Sequence, residues 1–416
     1  MQTAAHARPA AMPSATVFGI LFAVSSVHML NDSMQTVVTA LFPVFERSLQ
    51  LTFAQMGWLG FALNMTSSVM QPVVGLYSDK RPTPGMLPVG MAISLLGMAG
   101  LAVAPNFLLL VLAVMLVGIG SAVFHPEGSR VVYFAAGDRR GLAQSIYQVG
   151  GNAGSSLAPL MTIFIFIPLG QFGAIWGTLL AAAAIAILLF VVPWYRKQLH
   201  AYGAPSKRKA RPVDAEAGGG GSLAAAARID RKVWLALALL IVIVFARSWY
   251  GAAMGSFYQF YLRDDYGISI QTAQVALFLY LAAGVAGTLF GGMAADRFGR
   301  KRMMIFSIVG AAPFALMLPY LPLPWVYPVA AVIGFVMMSG FSVSVVYAQE
   351  LLPGNVGLAS GLITGFAFGM GALGGVVLGN AGDYYGSMSP VIQASSYLPL
   401  FGLLAFLLPK DRRAAS

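Results

Sequence analysis

The chain has 416 residues, of which 58% are apolar and only 9% are charged. Soluble domains carry about 25% charged residues, so this composition excludes an ordinary water-soluble enzyme and indicates a protein that crosses a membrane many times. The chain has no cysteine, which excludes disulfides, thiol nucleophiles and cysteine-ligated metals.

Twelve apolar stretches are long enough to cross a bilayer, for which about 20 residues suffice. Their long unbroken runs favour helices over the alternating strands of a barrel. We therefore predict an all-α membrane protein with twelve transmembrane helices in two pseudo-symmetric six-helix bundles. In chain order, the predicted spans are 16–42, 54–77, 85–104, 107–134, 142–167, 171–194, 233–262, 271–294, 303–321, 325–349, 356–380 and 391–409.

The basic residues predict the orientation. With twelve spans, 21 of the 25 lysines and arginines fall on the side that holds both termini, and only Arg47 and Arg263 fall on the other. The positive-inside rule makes the first side cytoplasmic in a multi-pass protein of the bacterial inner membrane. The net charge of +11 is therefore a topology signal, and we expect the lipid bilayer, and no nucleic acid, as a partner.

The chain divides into two halves of similar design. We predict an N-terminal bundle over 1–194, a cytoplasmic linker rich in basic residues, alanine and glycine over 195–232, and a C-terminal bundle over 233–416. The string Gly-Leu-Ala begins at Gly141 and again at Gly357, an offset of 216 residues. Such a duplication is typical of transporters that alternate access around a central site.

A second repeated pattern lies in the loops after spans two and eight. Gly-x-x-x-Asp followed by basic residues occurs in both halves, at an offset of 217 residues. Aspartate at a short turn can cap the next helix and pair with a nearby arginine. We predict a conformational latch rather than a plain charged loop. Its candidate residues are Gly75, Asp79, Gly292, Asp296, Arg297 and Arg300.

The first span carries four polar residues on one helix face. His28, Asn31, Asp32 and Gln35 are spaced i, i+3, i+4 and i+7. Burying an ionisable residue deep in a span costs free energy, so such residues usually have a function. This face is expected to line a cavity, and a structural polar cluster between helices is the alternative.

The fourth span contains the string His125-Pro126-Glu127-Gly128-Ser129-Arg130. Glu127 and Arg130, at i and i+3, can pair directly. The proline and glycine loosen the helix and free backbone groups that a cavity could hydrate. A functional site is predicted here, and a purely structural ion pair is the alternative.

In the seventh span, Arg247 has no acidic neighbour within several residues, and Tyr250 follows one turn later. Arg247 is therefore expected to pair with a carboxylate of another helix or with an anionic substrate. The fifth span is rich in small residues, which favour close helix contact. Gly150, Gly151, Gly154 and Pro159 are candidates for static packing or, equally, for a hinge.

Several strings together resemble the major facilitator superfamily, and in particular its exporters that confer resistance to a phosphonate drug. They occur in both halves, at 28–32, 71–75, 124–130, 142–154, 347–354 and 365–371. The two Gly-x-x-x-Asp loops resemble the signature of the superfamily, although the first lacks the Gly-Arg tail. The resemblance implies drug efflux by proton antiport, with an anionic phosphonate bound between the halves.

Combined with the buried charges, this resemblance assigns roles. Asp32, Glu127, His28 and His125 are expected to couple protons. Substrate is expected to contact Asn31, Gln35, His125, Arg130, Arg247 and Tyr250. Arg130 and Arg247, one from each half, could clamp a single anion.

We expect a monomer without cofactor, metal site or catalytic residues, because no metalloprotease, nucleophile-elbow or P-loop pattern is present. The alternatives are a symporter that imports a small organic anion or sugar, and a non-transporting membrane receptor.

Overall fold

A computed structural model describes residues 15–81, 83–137, 139–202, 231–351 and 356–409. Within these ranges the backbone is helical almost throughout and contains no strand. The α-helices in chain order are α1 Phe18–Ala40, α2 Phe42–Leu49, α3 Phe53–Lys80, α4 Met86–Val103, α5 Phe107–Ala135, α6 Arg140–Met161, α7 Ile167–Leu169, α8 Gly177–Tyr202, α9 Arg231–Ala252, α10 Tyr258–Tyr266, α11 Ile270–Phe298, α12 Arg300–Val309, α13 Ala312–Met317, α14 Leu323–Met338, α15 Phe341–Leu351, α16 Val356–Tyr385 and α17 Ser389–Ser395.

The helix lengths agree with twelve crossings. Eight segments of the described chain are long and apolar enough to span a membrane. One of them, Leu142–Ala201, has 60 residues, which would extend about 90 Å as one helix, three times the bilayer core. It turns at Gly170, whose φ is 63°, and therefore contains two crossings. Helices α1, α3 and α16, with 23, 28 and 30 residues, are also long enough.

The structure corrects several predicted boundaries. Helix α8 continues to Tyr202 and α9 begins at Arg231, so both enter the predicted linker; residues 203–230 lie outside the described part of the chain. A short helix, α2, follows the first span and was not expected. The last predicted span is broken into α17 and a 3₁₀ segment, Leu398–Leu407, in which Pro399 lacks the N–H that a regular helix needs.

Helix packing joins the halves along two seams. Within the halves, α1 packs on α6, α4 on α5, α11 on α14 and α9 on α16; between them, α3 packs on α16 and α6 on α11. Glycines allow a close approach at the first seam. A Cβ on Gly57 would lie 2.3 Å from the carbonyl oxygen of Gly375, and one on Gly379 would lie 2.3 Å from that of Phe53.

The two ends of the bundle are easily distinguished. The backbone N–H of Val17 donates to the carbonyl of Ala135 at 2.9 Å, so α1 begins where α5 ends. We call this end the basic face, because the loops rich in lysine and arginine lie there. The opposite end, which holds the connections 41–52 and 263–269, is called the far face.

Polar contacts cross between the halves at the far face. Arg263 of α10 forms a two-pronged ion pair with Glu46 of α2. The carboxylate of Asp383, near the end of α16, accepts hydrogen bonds from the backbone N–H groups of Phe53 at 2.8 Å and Ala54 at 3.0 Å. It thus caps the start of α3 in the other half. We call these interactions the far-face contacts.

Candidate functional site

The polar face of α1 meets α5 in a cluster of three titratable residues, the His–Asp cluster of His28, Asp32 and His125. Nε2 of His28 lies 3.2 Å from Oδ2 of Asp32, and Nε2 of His125 lies 3.8 Å from Oδ1. His28 is buried, whereas the side chains of Asp32 and His125 are 18% and 27% exposed. The cluster is therefore anchored inside the protein and open on one side.

The hydrogen bonds around His28 imply that a proton or another cation lies between His28 and Asp32. Nδ1 of His28 lies 2.8 Å from the carbonyl oxygen of Tyr147, which can only accept, so Nδ1 carries a hydrogen. A neutral ring would then direct the lone pair of Nε2 at a carboxylate oxygen. Because that arrangement is repulsive, a proton or another cation must lie between the two groups.

The remaining neighbours hold the carboxylate in place. Asn31 donates to Oδ1 of Asp32 at 2.9 Å, and Gln35 donates to the same oxygen at 3.4 Å. Gly151 of α6 packs closely against the pair, since a Cβ there would lie 2.5 Å from Oδ2 of Asp32 and 2.6 Å from Nε2 of His28. The four polar residues predicted on one face of α1 therefore share one site.

Glu127 and Arg130 form the expected direct pair, with Nη1 of Arg130 2.8 Å from Oε1 of Glu127. Two further helices complete the group. The hydroxyl of Ser78, from α3, donates to the same oxygen, and that of Tyr195, from α8, donates to Oε2 at 2.9 Å. The glutamate is fully buried and both its oxygens are satisfied. This buried quartet ties α3, α5 and α8 together.

Arg247, on α9, has a different environment. It is only 5% exposed, and one Nη donates to the hydroxyl of Ser307 at 2.6 Å. Its Nε and other Nη have no hydrogen-bond partner within the described residues, and no carboxylate there forms an ion pair with it. The buried hydroxyls of Tyr250 and Tyr280 are likewise unpartnered. The arginine is a buried cation with unused donors.

Asp32 and Arg247 occupy equivalent positions in the two halves. Each lies 14 residues after the start of its apolar segment, at Phe18 and Val233, which is about 21 Å of helix. Their offset of 215 residues is close to the offsets of the repeated motifs. Asp32 and Arg247 therefore lie at similar depth.

Arg130 lies at a different depth from Arg247. It is five residues from the end of α5 at Ala135, about 8 Å from the basic face. Arg130 is also engaged by Glu127. Arg130 and Arg247 therefore lie at different depths, and the clamp of one anion by both stays a prediction.

The structure tests the predicted latch only in part. The side chains of Asp79 and Asp296 lie outside the described part of the chain. A Cβ on Gly75 or Gly292 would meet none of the described atoms within 4 Å. These two glycines therefore make no close contact with the described residues in this conformation.

The arginines of the second latch motif have local partners. The guanidinium of Arg297 lies 5.5 Å from the ring centroid of its neighbour Phe298. Arg300 pairs with Glu350 at 2.9 Å, which joins the start of α12 to the end of α15. This ion pair lies within the C-terminal half.

The predicted hinge residues of α6 lie at a tight contact with α1. A Cβ on Gly150 would be 2.3 Å from the carbonyl oxygen of Ser25, and one on Gly154 would be 2.0 Å from that of Met29. Pro159 lies inside α6, two residues before its end. The two glycines therefore serve close packing in this conformation.

Some residues of these sites were not predicted. Ser78 and Tyr195 of the buried quartet, Tyr280 near Arg247, and Glu46 at the far face are absent from the sequence-based expectations. The scarcity of acidic residues is the one sequence signal that could have identified Glu46, since the chain has only 14 of them.

Comparison with known proteins identifies relatives over nearly the full length. The chain matches a family model described as Major Facilitator Superfamily over residues 21–375 and 239–416. It is 43% identical over 412 residues to the fosmidomycin resistance protein of Escherichia coli, covering 99% of this chain and 98% of that one. This confirms the resemblance that the motifs indicated.

A second sequence relative and a solved structure agree with this match. An uncharacterized MFS-type transporter of Bacillus subtilis, YfnC, is 50% identical over 401 residues, with 96% of this chain and 95% of the relative covered. The crystal structure of the nucleoside transporter NupG has the same fold, with a TM-score of 0.71 at 16% identity over 94% of this chain and 98% of that one.

Proposed function

Because the chain belongs to the major facilitator superfamily, we propose that it exports fosmidomycin or a related small anionic drug across the bacterial inner membrane. Export is coupled to proton entry and proceeds by alternating access in a monomer whose termini are both cytoplasmic. The relative named as a fosmidomycin resistance protein supports the choice of drug. The excess of basic residues on one face supports the orientation.

The observation that carries the proposal is the unused charge of Arg247. A buried arginine without a carboxylate partner is expensive. Its Nε and one Nη have no partner among the described residues, and a guanidinium offers several N–H donors that suit the oxygens of a phosphonate. Tyr250 and Tyr280 add hydroxyl donors. An anionic substrate would therefore satisfy groups that the described protein leaves unpaired.

Proton coupling is assigned to the His–Asp cluster. Asp32 is at the depth of Arg247 and is partly exposed, so a substrate on Arg247 could also donate a hydrogen bond to it. That bond is stronger to a deprotonated carboxylate than to a protonated one, so substrate and proton compete, as antiport demands. The buried quartet is the weaker proton candidate, because both oxygens of Glu127 are already hydrogen-bonded.

A symporter that imports a small organic anion is the second candidate. Protonation of the His–Asp cluster removes negative charge near an anion on Arg247 and would favour binding of both together. Two considerations favour export. The relative is named for drug resistance. The membrane potential also favours export, because moving an anion out of a negative-inside cell releases about 2.3 kcal/mol of free energy per charge per 100 mV.

The direction can be tested in everted membrane vesicles with radiolabelled fosmidomycin. For an exporter, drug should accumulate inside vesicles with an acidic lumen, and collapse of the pH gradient should stop the accumulation. Cells expressing the protein should also survive fosmidomycin better than cationic dyes. Protection against dyes alone would contradict an anion exporter, and drug loss from the vesicles would indicate import.

Replacement of Arg247 by alanine tests the substrate site. Each hydrogen bond to a charged group contributes about 1.5–3 kcal/mol, so loss of two should weaken the apparent affinity for drug about 100-fold or more. Arg47→Ala is the matched control, because Arg47 is exposed on the far face. Equal transport by both variants would exclude Arg247 from the site.

A further inference from the structure

The His–Asp cluster has the composition and spacing of a metal site, although no metal was expected from the sequence. One ligand atom from each of His28, Asp32 and His125 lies within 4.8 Å of the others. Two imidazoles and one carboxylate form a ligand set typical of divalent transition metals, Zn²⁺ in particular. We propose that this cluster binds one such ion, with Zn²⁺ the best match, in the place otherwise taken by a proton.

The distances between the three ligand atoms require only a small movement for Zn²⁺ to bind. Bonds of about 2.0–2.1 Å to a tetrahedral Zn²⁺ place neighbouring ligand atoms about 3.3 Å apart. Nε2 of His28 and Oδ2 of Asp32 already have this spacing, at 3.2 Å. The imidazole of His125 must approach by at most about 1.5 Å. Its partial exposure leaves it room to move.

The groups that orient the ligands are also in place. Metal-bound histidines usually donate their other ring N–H to a carbonyl or carboxylate. His28 does so through Nδ1, which donates to the carbonyl of Tyr147, and this leaves Nε2 as the ligand atom. Asn31 orients the carboxylate of Asp32 through its hydrogen bond to Oδ1. Both ligands from α1 are therefore held in the required orientation before an ion binds.

The surroundings allow an ion to enter and be hydrated. The exposed sides of Asp32 and His125 leave a coordination position for water. The titratable groups of the packed helices that face this point are His28 and Asp32 of α1, His125 of α5 and Tyr147 of α6.

Metal binding must release a proton. A cation is needed between His28 and Asp32, and in the absence of metal that cation is a proton. Zn²⁺ requires a neutral imidazole and a carboxylate, so about one proton leaves as the ion binds.

Titration calorimetry with ZnCl₂ on the purified full-length protein, in detergent and without a polyhistidine tag, tests the proposal. We expect one site, and about one proton released, measured in buffers of different ionisation enthalpy. His125→Asn and Asp32→Asn should each weaken binding at least tenfold. His200→Asn, at the exposed end of α8, should leave it unchanged. No saturable binding, or equal loss in the His200 control, would overturn the proposal.

X-ray absorption of the Zn²⁺-loaded wild type gives a test that does not depend on the folding of variants. Two imidazoles and light oxygen ligands are expected at about 2.0–2.2 Å. A spectrum with fewer than two imidazoles would overturn the proposal. Both measurements use neither drug nor a proton gradient, so their outcome is separate from that of the transport tests.

Discussion

At the scale of single residues, the chain places two opposite charges at equivalent points of its two halves. Asp32 is supported by four polar neighbours, whereas Arg247 has one hydrogen bond, to Ser307. The difference follows from the side chains around them. Polar residues recur along one face of α1, and α9 presents mainly apolar residues there. The C-terminal half, which contains Arg247, is therefore the half that an anionic ligand would stabilise more.

Substitution of Gly151 tests the role of the His28–Asp32 pair in proton coupling. In Gly151→Ala, the new methyl group would lie about 2.5 Å from both members of the His28–Asp32 pair and must push them apart. We expect drug-dependent proton flux to fall about tenfold, equivalent to about 1.4 kcal/mol. The flux is measured in proteoliposomes with a pH-sensitive dye.

The control for this variant is Gly19→Ala. A Cβ on Gly19, at the start of α1, meets no described atom within 4 Å, so that variant should transport normally. A Gly151→Ala protein with wild-type proton flux would show that the His28–Asp32 geometry is not required for coupling.

Much of this site could be predicted, because part of it is local in the sequence. His28 and Asp32 are one helical turn apart, so their contact follows from spacing. The approach of His125 could not be predicted, because it depends on how α5 packs against α1, across 93 residues of chain.

At the scale of helices, the buried quartet connects three elements through one carboxylate. Glu127 and Arg130 follow from i, i+3 spacing, but Ser78 and Tyr195 reach them only through packing. Removal of either charge would break the Glu127–Arg130 ion pair, and breaking a buried pair in this way costs about 3–5 kcal/mol. The quartet is thus well suited to fixing the arrangement of α3, α5 and α8.

Tyr195→Phe isolates one hydrogen bond of the quartet. The variant keeps the ring and loses the donor to Oε2 of Glu127, so we expect it to destabilise the protein by about 1.5–3 kcal/mol. Thermal unfolding in detergent, followed by fluorescence, should show a lower Tm than the wild type. Tyr77→Phe, in which the side chain is half exposed on α3, is the control. A Tyr195→Phe protein as stable as this control would contradict the role of the quartet.

Helix positions were largely predictable because apolar runs of about 20 residues leave few other structures in a membrane. The errors occur where a helix is polar or broken. Helix α8 exceeded its apolar stretch by eight residues, to Tyr202, because basic residues such as Arg196 continue a helix as readily as leucine does. The last span becomes irregular at Pro399, and helix propensity alone did not predict where the regular helix would end.

At the scale of the whole molecule, the halves are joined by the far-face contacts. Glu46, Arg263 and Asp383 link elements from different halves, and Gln259 and Gln274 donate to the last carbonyls of α1. A state open at the far face would require all of these to break. The contacts therefore stabilise the closed far face that the structure presents.

Loss of these contacts should shift the equilibrium between conformations. In a Glu46→Gln, Asp383→Asn double variant, we expect a larger population with the far face open. The chain has no cysteine, so spin labels on Arg47→Cys and Tyr384→Cys would report the separation of the halves without background. Pulsed electron resonance should show longer distances than in the labelled parent.

Asp264→Asn provides the comparison for that experiment. Asp264 pairs with Arg263 inside the same half, at 2.6 Å, so its loss leaves the bond to Glu46 intact. This variant should keep the parent distance distribution. An unchanged distribution in the double variant would mean that the carboxylates of Glu46 and Asp383 are not needed to hold the far face closed.

The exposure of the Glu46–Arg263 pair has a consequence for the medium in which the protein works. Their side chains are 25% and 23% exposed, and the screening length of an electrolyte falls from about 8 Å at 0.15 M to 3 Å at 1 M. Rising salt concentration on the side of the far face should therefore loosen this pair. Arg247, deep in the protein, is shielded from the same ions. The balance between conformations would then respond to salinity, while the intrinsic attraction of Arg247 for an anion would stay nearly constant.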